Sequence, residues 1–432
     1  MIVPLVIEQF LAIFIGMADT VMVSTVSESA VSAISLVDSI NVLLIQLFSA
    51  MATGGAVVAA QYLGKHEPQN ACTAAKQLMY VSLSLSLVLM TVSLLFCDPI
   101  LHMCFGNLSE GTMAYCRTYF YLSALSYPAL ALYNGGAALL RAMGNSKASM
   151  FTSFLMNILN VGGNAILIYG FHMEVQGAAI ASLVSRVLGA TIMMKLMLDR
   201  QSTIHIVRPL RLEPDVPMIK RIFSQGIPNG LENSMFQIGK LLVTGVLAMF
   251  SESIIAANAV ANNIASLTNL PGNAIGLAMV TVVGQCIGAG DTKQAKHYAI
   301  KLIKVTYLLM GISNLLLFLF AQPLSSIFSL SPEGIAASTE VLRFFAISAA
   351  IFWTASFTLP NALRAAGDAK FTMTVSVFSM WVFRIGASYL LVYGFHMGLL
   401  GIWVAMAIDW VARAVLFSWR YRSGKWLTKK IV

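Results

Sequence analysis

Long apolar runs recur along the whole length of this 432-residue chain. A helix of about 18 residues or more can cross a bilayer core of about 30 Å. Twelve runs reach that length, at 2–24, 32–60, 77–97, 118–140, 148–169, 176–197, 222–250, 254–283, 298–320, 341–363, 371–393 and 398–419. Only 10% of the residues are charged, against about 25% in a typical soluble domain. The pattern predicts an all-α polytopic membrane protein with twelve transmembrane helices.

A repeat with a spacing of about 224 residues divides the chain into two halves. Three pairs of segments carry it, namely YGFHM at 169–173 and 393–397, LRAMGNSKASM at 140–150 with LRAAGDAKFTM at 363–373, and the gap-free match of 4–71 to 228–295. Six helices in each half give both halves the same topology, related by a pseudo-twofold axis along the membrane normal, as in secondary transporters. We predict an N-lobe of 1–198, a cytoplasmic linker of 199–221 and a C-lobe of 222–432.

The basic residues lie almost entirely on one side of the predicted helices. If the first helix enters from the cytoplasm, 21 of the 27 lysines and arginines fall in cytoplasmic loops, and only Arg117 and Arg343 fall in the opposite loops. The positive-inside rule then predicts a multi-pass protein of the cell membrane with both termini in the cytoplasm. This placement also accounts for the net charge of +9, so we expect no nucleic-acid partner.

Residues 1–24 lack a basic leader and a small-residue cleavage site, so they are interpreted as a retained helix rather than a signal peptide. In the repeat, Met1 corresponds to Gln225, which already lies at the membrane. We therefore expect the native chain to begin before Met1.

The chain shows no pattern of catalytic or metal-binding chemistry. Its five cysteines have no metal-ligand spacing, and a nucleophile elbow, an HExxH motif and a P-loop are absent from the sequence. An enzyme and an ATP-driven pump are therefore disfavoured, and no cofactor is predicted. Cys97, Cys104 and Cys116 fall in or near one outward loop, where a disulfide could form, although we favour buried, unpaired thiols.

The repeated RAMGNSK and RAAGDAK loops predict tight turns between helices. A glycine that follows the last helical turn can take a positive φ and so end the helix, which makes Gly144 and Gly367 the expected C-caps. The QYLG and QCIG stretches are expected to end helices 2 and 8 in the same way. His172 and His396, in the repeated pentapeptide, are interpreted as structural loop residues.

Charged side chains inside the predicted spans cost about 2.5–3.5 kcal/mol each at the bilayer centre, so they are candidates for function. Asp19 lies 15 residues after Pro4, about 22 Å along the first helix. Its repeat partner is Val243, and a carboxylate present in only one half favours a cation-coupling or proton-coupling role. The alternative is an aspartate near the helix end that is hydrated from outside.

Asn160 and Asn164 lie four residues apart and share one helix face. Their amide oxygens could complete a Na⁺ site or hold the Asp19 carboxyl group. Ordinary hydrogen bonding between helices is the alternative. Glu8 and Glu232 occupy equivalent positions in the two halves, each four residues after a proline, so a shared structural role and contact with a substrate are both open.

The C-lobe carries more basic than acidic residues inside its spans. Asp409 and Arg413 are four apart and are expected to pair within one helix. Arg384 occupies the position equivalent to Asn160. We predict that Lys240 and Arg384 give the cavity wall of the C-lobe a positive lining and pair with Glu232 or Asp409.

Several of these segments resemble the multidrug and toxic compound extrusion (MATE) family over essentially the whole chain. They are GMADTVMVS in the first helix, QYLG and QCIGAGD at the ends of helices 2 and 8, and the twin RAMGNSK and RAAGDAK loops. The resemblance implies antiport of small-molecule organic cations against Na⁺ or H⁺, by alternating access through a central cavity between the lobes. In similar proteins an aspartate of helix 1 is the coupling residue, and Asp19 occupies that place.

The resemblance leaves the coupling ion open. One branch of the family carries an Asn and an Asp four apart in helix 5, whereas this chain has Asn160 and Asn164. Another branch uses a Glu deeper in helix 7 and an Asp in helix 10, but Glu232 lies nearer the helix start and 341–363 contains no Asp. A lipid-linked oligosaccharide flippase of the same superfamily is the alternative function, kept open by the basic C-lobe. We expect a monomer in the lipid bilayer.

Overall fold

The computed structural model describes residues 1–106, 108–206, 213–247, 249–328, 330–429 and 431–432, with the backbone alone for Glu28. The described chain is almost entirely helical. Its α-helices are α1 (Ile2–Val23), α2 (Glu28–Gly64), α3 (Pro68–Leu95), α4 (Cys97–Phe105), α5 (Glu110–Leu125), α6 (Tyr127–Ala142), α7 (Ser146–Asn164), α8 (Glu174–Met197), α9 (Val216–Leu247), α10 (Glu252–Thr268), α11 (Leu270–Gly288), α12 (Thr292–Ser326), α13 (Pro332–Ser348), α14 (Leu359–Ala365), α15 (Ala369–Ser379), α16 (Ala387–Tyr389) and α17 (Gly398–Arg422). Segments of π-helix continue several of them, at Ala165–Gly170, Ala349–Thr358, Met380–Gly386 and Leu390–Gly394. A short 3₁₀ turn, Lys425–Thr428, follows α17.

Ten helical segments of the described chain are long and apolar enough to cross a membrane. The protein is therefore an all-helical membrane protein, as the sequence predicts. Two of the predicted spans are absent from these ten segments. Span 118–140 is divided at Ser126, between α5 and α6, and 222–250 falls mainly in α9, whose apolar character is lowered by Glu232, Lys240 and neighbouring polar residues.

The helices form two compact units. The N-unit comprises Met1 and Val3–Gly230, and the C-unit comprises Ile2 and Leu231–Val432. The division falls inside α9, because the first turns of this helix pack in the N-unit. A Cβ atom on Gly54 of α2 would lie 2.6 Å from the backbone nitrogen of Gly226, so two glycines let these helix segments approach closely, as small residues do at helix crossings in membranes.

The predicted linker 199–221 is described only in part. Residues 207–212, with Arg208 and Arg211, lie outside the described residues, as does Lys430. The last part of the predicted linker is helical, because α9 begins at Val216. Glu213, the first described residue after 207–212, contacts α3: Gln77 Nε2 donates a hydrogen bond of 2.8 Å to its carbonyl oxygen.

The repeated pentapeptide YGFHM adopts the same backbone conformation in both units. In each copy a π-helical turn ends at the glycine, and the histidine takes a left-handed conformation, with φ of 53° at His172 and 52° at His396. The amides of Phe171 and Phe395 donate to the carbonyls of Ile166 and Leu390 at 3.1 and 3.2 Å. Both histidines therefore lie in loops of one repeated backbone conformation, as the sequence predicts.

The turns after the RAMG and RAAG stretches also match. Gly144 and Gly367 have φ of 82° and 95°, and each follows the cap residue of its helix, so they end α6 and α14 as predicted. For QYLG and QCIG the prediction is wrong in detail, because Gly64 and Gly288 are the last helical residues. The left-handed positions are His66 and Gly290, with φ of 60° and 75°.

The five cysteines are free. Cys97 and Cys116 are buried, whereas Cys104 is exposed on α4. Burial of Cys97 and Cys116 as free thiols agrees with the interpretation favoured by the sequence over a disulfide.

Candidate functional site

Asp19 lies in the apolar helix α1 with its side chain buried, at 6% exposure. Asn164 Nδ2, from the end of α7, donates a hydrogen bond of 2.5 Å to Asp19 Oδ1. Ser182 Oγ, from α8, donates to Asp19 Oδ2 at 3.4 Å. Among the described residues this carboxylate has no ion-pair partner. Three helices of the N-unit therefore meet at one carboxyl group that has neutral hydrogen-bond donors and no direct ion pair.

Asn160 contacts Ser182 rather than Asp19 itself. Its Nδ2 donates to Ser182 Oγ at 2.9 Å, and so it supports the hydroxyl that contacts Asp19. Asn160 and Asn164 are both fully buried. The Oδ1 atom of each amide has no hydrogen-bond partner within the described chain.

The composition of this group fits a monovalent cation. A buried carboxylate without a counter-ion is costly unless it is neutralised by a proton or a cation. Two buried amide oxygens without donors lie on the neighbouring face of α7, and carbonyl-type and carboxylate oxygens are the ligands of hard cations. No group of three or more His, Cys, Asp or Glu side chains suited to a metal occurs in the described residues. The Asp19 carboxylate and the two amide oxygens are therefore the groups that could hold a cation here.

Glu8 lies elsewhere in the N-unit and has a basic partner. Arg141 Nη1 donates to Glu8 Oε1 at 2.7 Å, and Ser149 Oγ donates to Glu8 Oε2 at 2.6 Å. Arg141 belongs to the RAMG stretch that the sequence assigned only to a helix end. The contact links the beginning of α1 to the ends of the two helices on either side of that turn, which supports the structural alternative for Glu8.

Glu232 has the equivalent arginine partner in the C-unit, together with a serine at a different position of the repeat. Arg364 Nη2, from the RAAG stretch, donates to Glu232 Oε1 at 2.6 Å, and Ser376 Oγ donates to the same oxygen at 2.6 Å. The repeat thus contains one buried glutamate–arginine–serine contact in each half.

Asp409 and Arg413 form the ion pair within α17 that their spacing predicts, with Nε and Oδ1 2.8 Å apart. Ser379 Oγ also donates to Asp409 Oδ1, at 2.5 Å. Arg384 Nη1 lies 4.0 Å from Asp409 Oδ2, so this predicted pairing exists only as a long contact.

The prediction that Lys240 pairs with Glu232 or Asp409 is wrong. Glu232 is bonded to Arg364, and Lys240 instead places its Nζ atom 5.1 Å from the ring centroid of Phe236, one helical turn earlier in α9. The aromatic ring takes the place of the expected carboxylate.

Two contributors to these sites could not be recognised in the sequence. Ser182 is one of many serines in apolar helices, and only the packing of α8 against α1 and α7 brings its hydroxyl to Asp19. Phe236 is one of 24 phenylalanines. Its position one helical turn before the intramembrane Lys240 was the sequence feature that could have indicated their contact.

Comparison with known proteins agrees with this architecture. The MatE family model matches residues 4–166 and again residues 228–390, which reproduces the internal repeat. The fold is similar to that of a multidrug resistance MATE family transporter of the MOP superfamily that was solved in an outward-facing conformation, with a TM-score of 0.92 at 21% identity, covering 99% of this chain and 95% of that one. The chain therefore belongs to the MatE family, whose members are transporters and not enzymes.

Two relatives extend over nearly the whole chain. The uncharacterized transporter YisQ of Bacillus subtilis is 29% identical over 99% of this chain and 94% of its own length. The probable multidrug resistance protein NorM of Thermotoga maritima is 25% identical over 99% of this chain and 92% of its own length.

Proposed function

We propose that this protein exports small organic cations across the cell membrane by antiport against Na⁺ or H⁺. In this proposal Asp19 is the coupling residue, and Asn160 and Asn164 complete its site. Binding of the ion at Asp19 and release of the substrate are linked by alternating access. The multidrug resistance name of the Thermotoga relative supports the choice of drug-like cations as cargo.

The observation that carries the proposal is the absence of an ion pair at the Asp19 carboxylate among the described residues. The other acidic side chains described above, Glu8, Glu232 and Asp409, each have an arginine partner. Asp19 accepts hydrogen bonds only from the neutral side chains of Asn164 and Ser182, and Arg186 acts on it electrostatically without forming an ion pair. A permanent arginine would hold the carboxylate in its charged form, whereas neutral amides allow a Na⁺ ion or a proton to arrive and leave.

The membrane arrangement proposed here follows from the sequence. Twelve spans form two six-helix lobes, 1–198 and 222–432, related by a pseudo-twofold axis along the membrane normal and joined through 199–221. Both termini are in the cytoplasm, because 21 of the 27 basic residues then face inward. The protein acts as a monomer.

Reconstitution into liposomes tests the function. Ethidium movement would be recorded under a Na⁺ gradient, a pH gradient and no gradient, for the wild type and for Asp19→Asn. We expect one gradient to drive ethidium movement in the wild type and so to name the coupling ion. In Asp19→Asn the rate should fall to that measured without a gradient, because an amide keeps the shape of the side chain but cannot exchange a cation or a proton.

Asp98→Asn is the matched control. It removes a carboxylate of α4 from an exposed ion pair with Arg117 of α5, and transport should be unchanged. The proposal fails if no gradient moves any of several organic cations, or if Asp19→Asn retains gradient-driven transport.

A further inference from the structure

Three basic side chains surround the ring of Phe236 in the C-unit. The distances to the ring centroid are 5.1 Å for Lys240 Nζ, 5.4 Å for Arg384 Cζ and 5.6 Å for Arg413 Cζ. They come from α9, from the π-helical segment Met380–Gly386 and from α17. We name these three residues together with Asp409 the basic cluster.

The charges of the basic cluster do not balance. Asp409 is its only acidic member, so three positive charges face one negative charge. Arg413 is satisfied, since it donates to Asp409 Oδ1 at 2.8 Å and to the carbonyl oxygen of Ser376 at 3.2 Å. The nearby Glu232 is bonded to Arg364 and cannot neutralise the excess.

The two remaining cations have free donors. In the part of the chain that the structure describes, Lys240 and Arg384 donate no hydrogen bond, and Arg384 reaches Asp409 Oδ2 only at 4.0 Å. Lys240 is exposed and Arg384 is partly accessible. Asp409 Oδ2 is buried and accepts no hydrogen bond within the described chain. Contact with one aromatic face offsets only part of the cost of holding cations in a membrane span.

An aromatic surface adjoins these donors. The ring of Phe357 meets Phe236 edge to face with centroids 6.3 Å apart, and it meets Trp410 in the same way at 5.9 Å. Both Phe236 and Phe357 are partly accessible. An aromatic wall beside unpaired Lys and Arg donors suits a molecule with a flat apolar body and a carboxylate or phosphate group.

We propose that the basic cluster binds the oxyanion group of an amphipathic substrate, with Lys240 and Arg384 donating to the oxyanion oxygens and Phe236 and Phe357 contacting the apolar body. This proposal refines the proposed function. It rests on that function for one point, that a bound molecule is exported. The preferred cargo is then an organic cation that also carries an oxyanion, a zwitterion, rather than a plain cation.

Direct binding to the full-length protein in neutral maltoside micelles tests this site without any ion gradient. The probes are a rhodamine with a free carboxylate and the methyl ester of the same dye, which differ by one negative charge. Fluorescence anisotropy would give the Kd of each for the wild type, Lys240→Gln and Arg384→Gln. We expect the acid to bind about tenfold tighter than the ester in the wild type, as one charge-assisted hydrogen bond allows.

Each variant should lose most of that preference by weakening the acid about tenfold while leaving the ester within about twofold. Arg384→Lys should retain the preference, because it keeps the charge. Lys293→Gln, which removes an exposed cation of α12, should leave both affinities unchanged. Lys240→Gln keeps the test valid if Arg384→Gln does not fold, since Lys240 is exposed and makes no hydrogen bond in the described chain.

The proposal is overturned if the wild type binds the ester as tightly as the acid, or if Lys240→Gln and Arg384→Gln weaken both dyes equally. Titration of phosphatidylglycerol identifies the source of the oxyanion: displacement of the dye supports a lipid phosphate at this site, and retention supports a soluble anion. Asp19→Asn should bind the acid like the wild type, so loss of coupling and loss of the oxyanion site give different results.

Discussion

At the scale of single residues, the buried contact between Glu8 and Arg141 offers a direct test of stability. Both side chains are largely buried, with exposures of 7% and 15%. Removing one partner of a buried ion pair leaves the other charge uncompensated, which typically costs about 3–5 kcal/mol. Glu8→Gln should therefore lower the free energy of unfolding by about 3 kcal/mol, measured by tryptophan fluorescence during SDS unfolding in mixed micelles.

Two further variants test whether an uncompensated buried charge causes this loss of stability. The double variant Glu8→Gln/Arg141→Gln should cost less than the sum of the two single changes, since it leaves no lone charge. Glu340→Gln, an exposed change on α13, serves as the control. Unfolding of Glu8→Gln at the wild-type SDS concentration would show that the contact adds nothing to stability.

The amides of the Asp19 site lead to a second residue-scale prediction. Asn164→Ala removes the donor to Asp19 Oδ1, together with an oxygen that has no partner in the described chain. If Na⁺ is the coupling ion, we expect the Na⁺ concentration needed for half-maximal ethidium transport to rise about tenfold, the equivalent of one charge-assisted hydrogen bond, because an oxygen ligand is lost. If H⁺ is the coupling ion, the H⁺ concentration needed should fall instead, because the ionised carboxylate loses a donor that stabilises it. Asn157→Ala, one turn before Asn160 on α7, changes an amide that donates only within its own helix and should have a much smaller effect. Equal effects of the two variants would contradict the assignment.

Some of these residues can be identified from the sequence because the repeat provides an internal reference. Asp19 was identifiable because the equivalent position in the other half is Val243, and the shared face of Asn160 and Asn164 follows from helix geometry alone. Ser182 and the role of Arg141 were missed, since both act across helices. A one-dimensional pattern shows which face a side chain is on, but not which other helix that face meets.

At the scale of helices, the crossing of α2 with the start of α9 depends on glycine. A Cβ on Gly54 would meet three backbone atoms, at 2.6, 2.8 and 2.9 Å. Backbone cannot move aside as a flexible side chain can, so Gly54→Ala should cost about 1–3 kcal/mol. We expect a lower thermal midpoint for Gly54→Ala in detergent, followed by loss of the monodisperse peak in size-exclusion chromatography.

Gly311→Ala is the matched control for this prediction. A Cβ at Gly311, in α12, would meet nothing within 4 Å, and alanine is the better helix former by up to about 1 kcal/mol. Gly311→Ala should therefore be as stable as the wild type or slightly more so. If Gly54→Ala had the same thermal midpoint as Gly311→Ala, the close approach of α2 and α9 would not limit stability.

Helix existence was predictable here, but the places where helices break were not. Apolar length predicted spans for α1, α2 and α17, because twenty apolar residues have few other structures in a bilayer. The division between α5 and α6 at Ser126 lies inside one apolar run. The π-helical turns that end at the glycine of each YGFHM copy are likewise not visible in the hydrophobicity pattern. They depend on backbone hydrogen bonding rather than on side-chain polarity.

At the scale of the whole molecule, the two halves share a scaffold and differ in charge. The glutamate–arginine contacts, the left-handed histidines and the glycine turns occur in both. The positions that differ are those with chemistry: Asp19 against Val243, and Asn160 against Arg384. Duplication of such a scaffold would let one copy carry the proposed acidic ion site and the other the proposed basic site without changing how either copy folds.

The orientation of this scaffold in the membrane leads to the last prediction. Cys104 is the exposed cysteine of α4, whereas Cys72, Cys97 and Cys116 are buried and Cys286 is only partly accessible. With both termini in the cytoplasm, α4 faces outward. A membrane-impermeant maleimide added to intact spheroplasts should therefore label the wild type, and Cys104→Ser should lose that signal.

A second cysteine placed on the opposite side completes the test. Ser423 is exposed just after α17, next to the basic C-terminal segment that the positive-inside rule assigns to the cytoplasm. In a Cys104→Ser background, Ser423→Cys should react with the maleimide only after the membrane is permeabilised. If Ser423→Cys reacts in intact spheroplasts while Cys104 needs permeabilisation, the orientation is inverted. Asp19 would then lie nearer the cytoplasmic face, and an inward ion gradient could not load it from outside as the proposed export cycle requires.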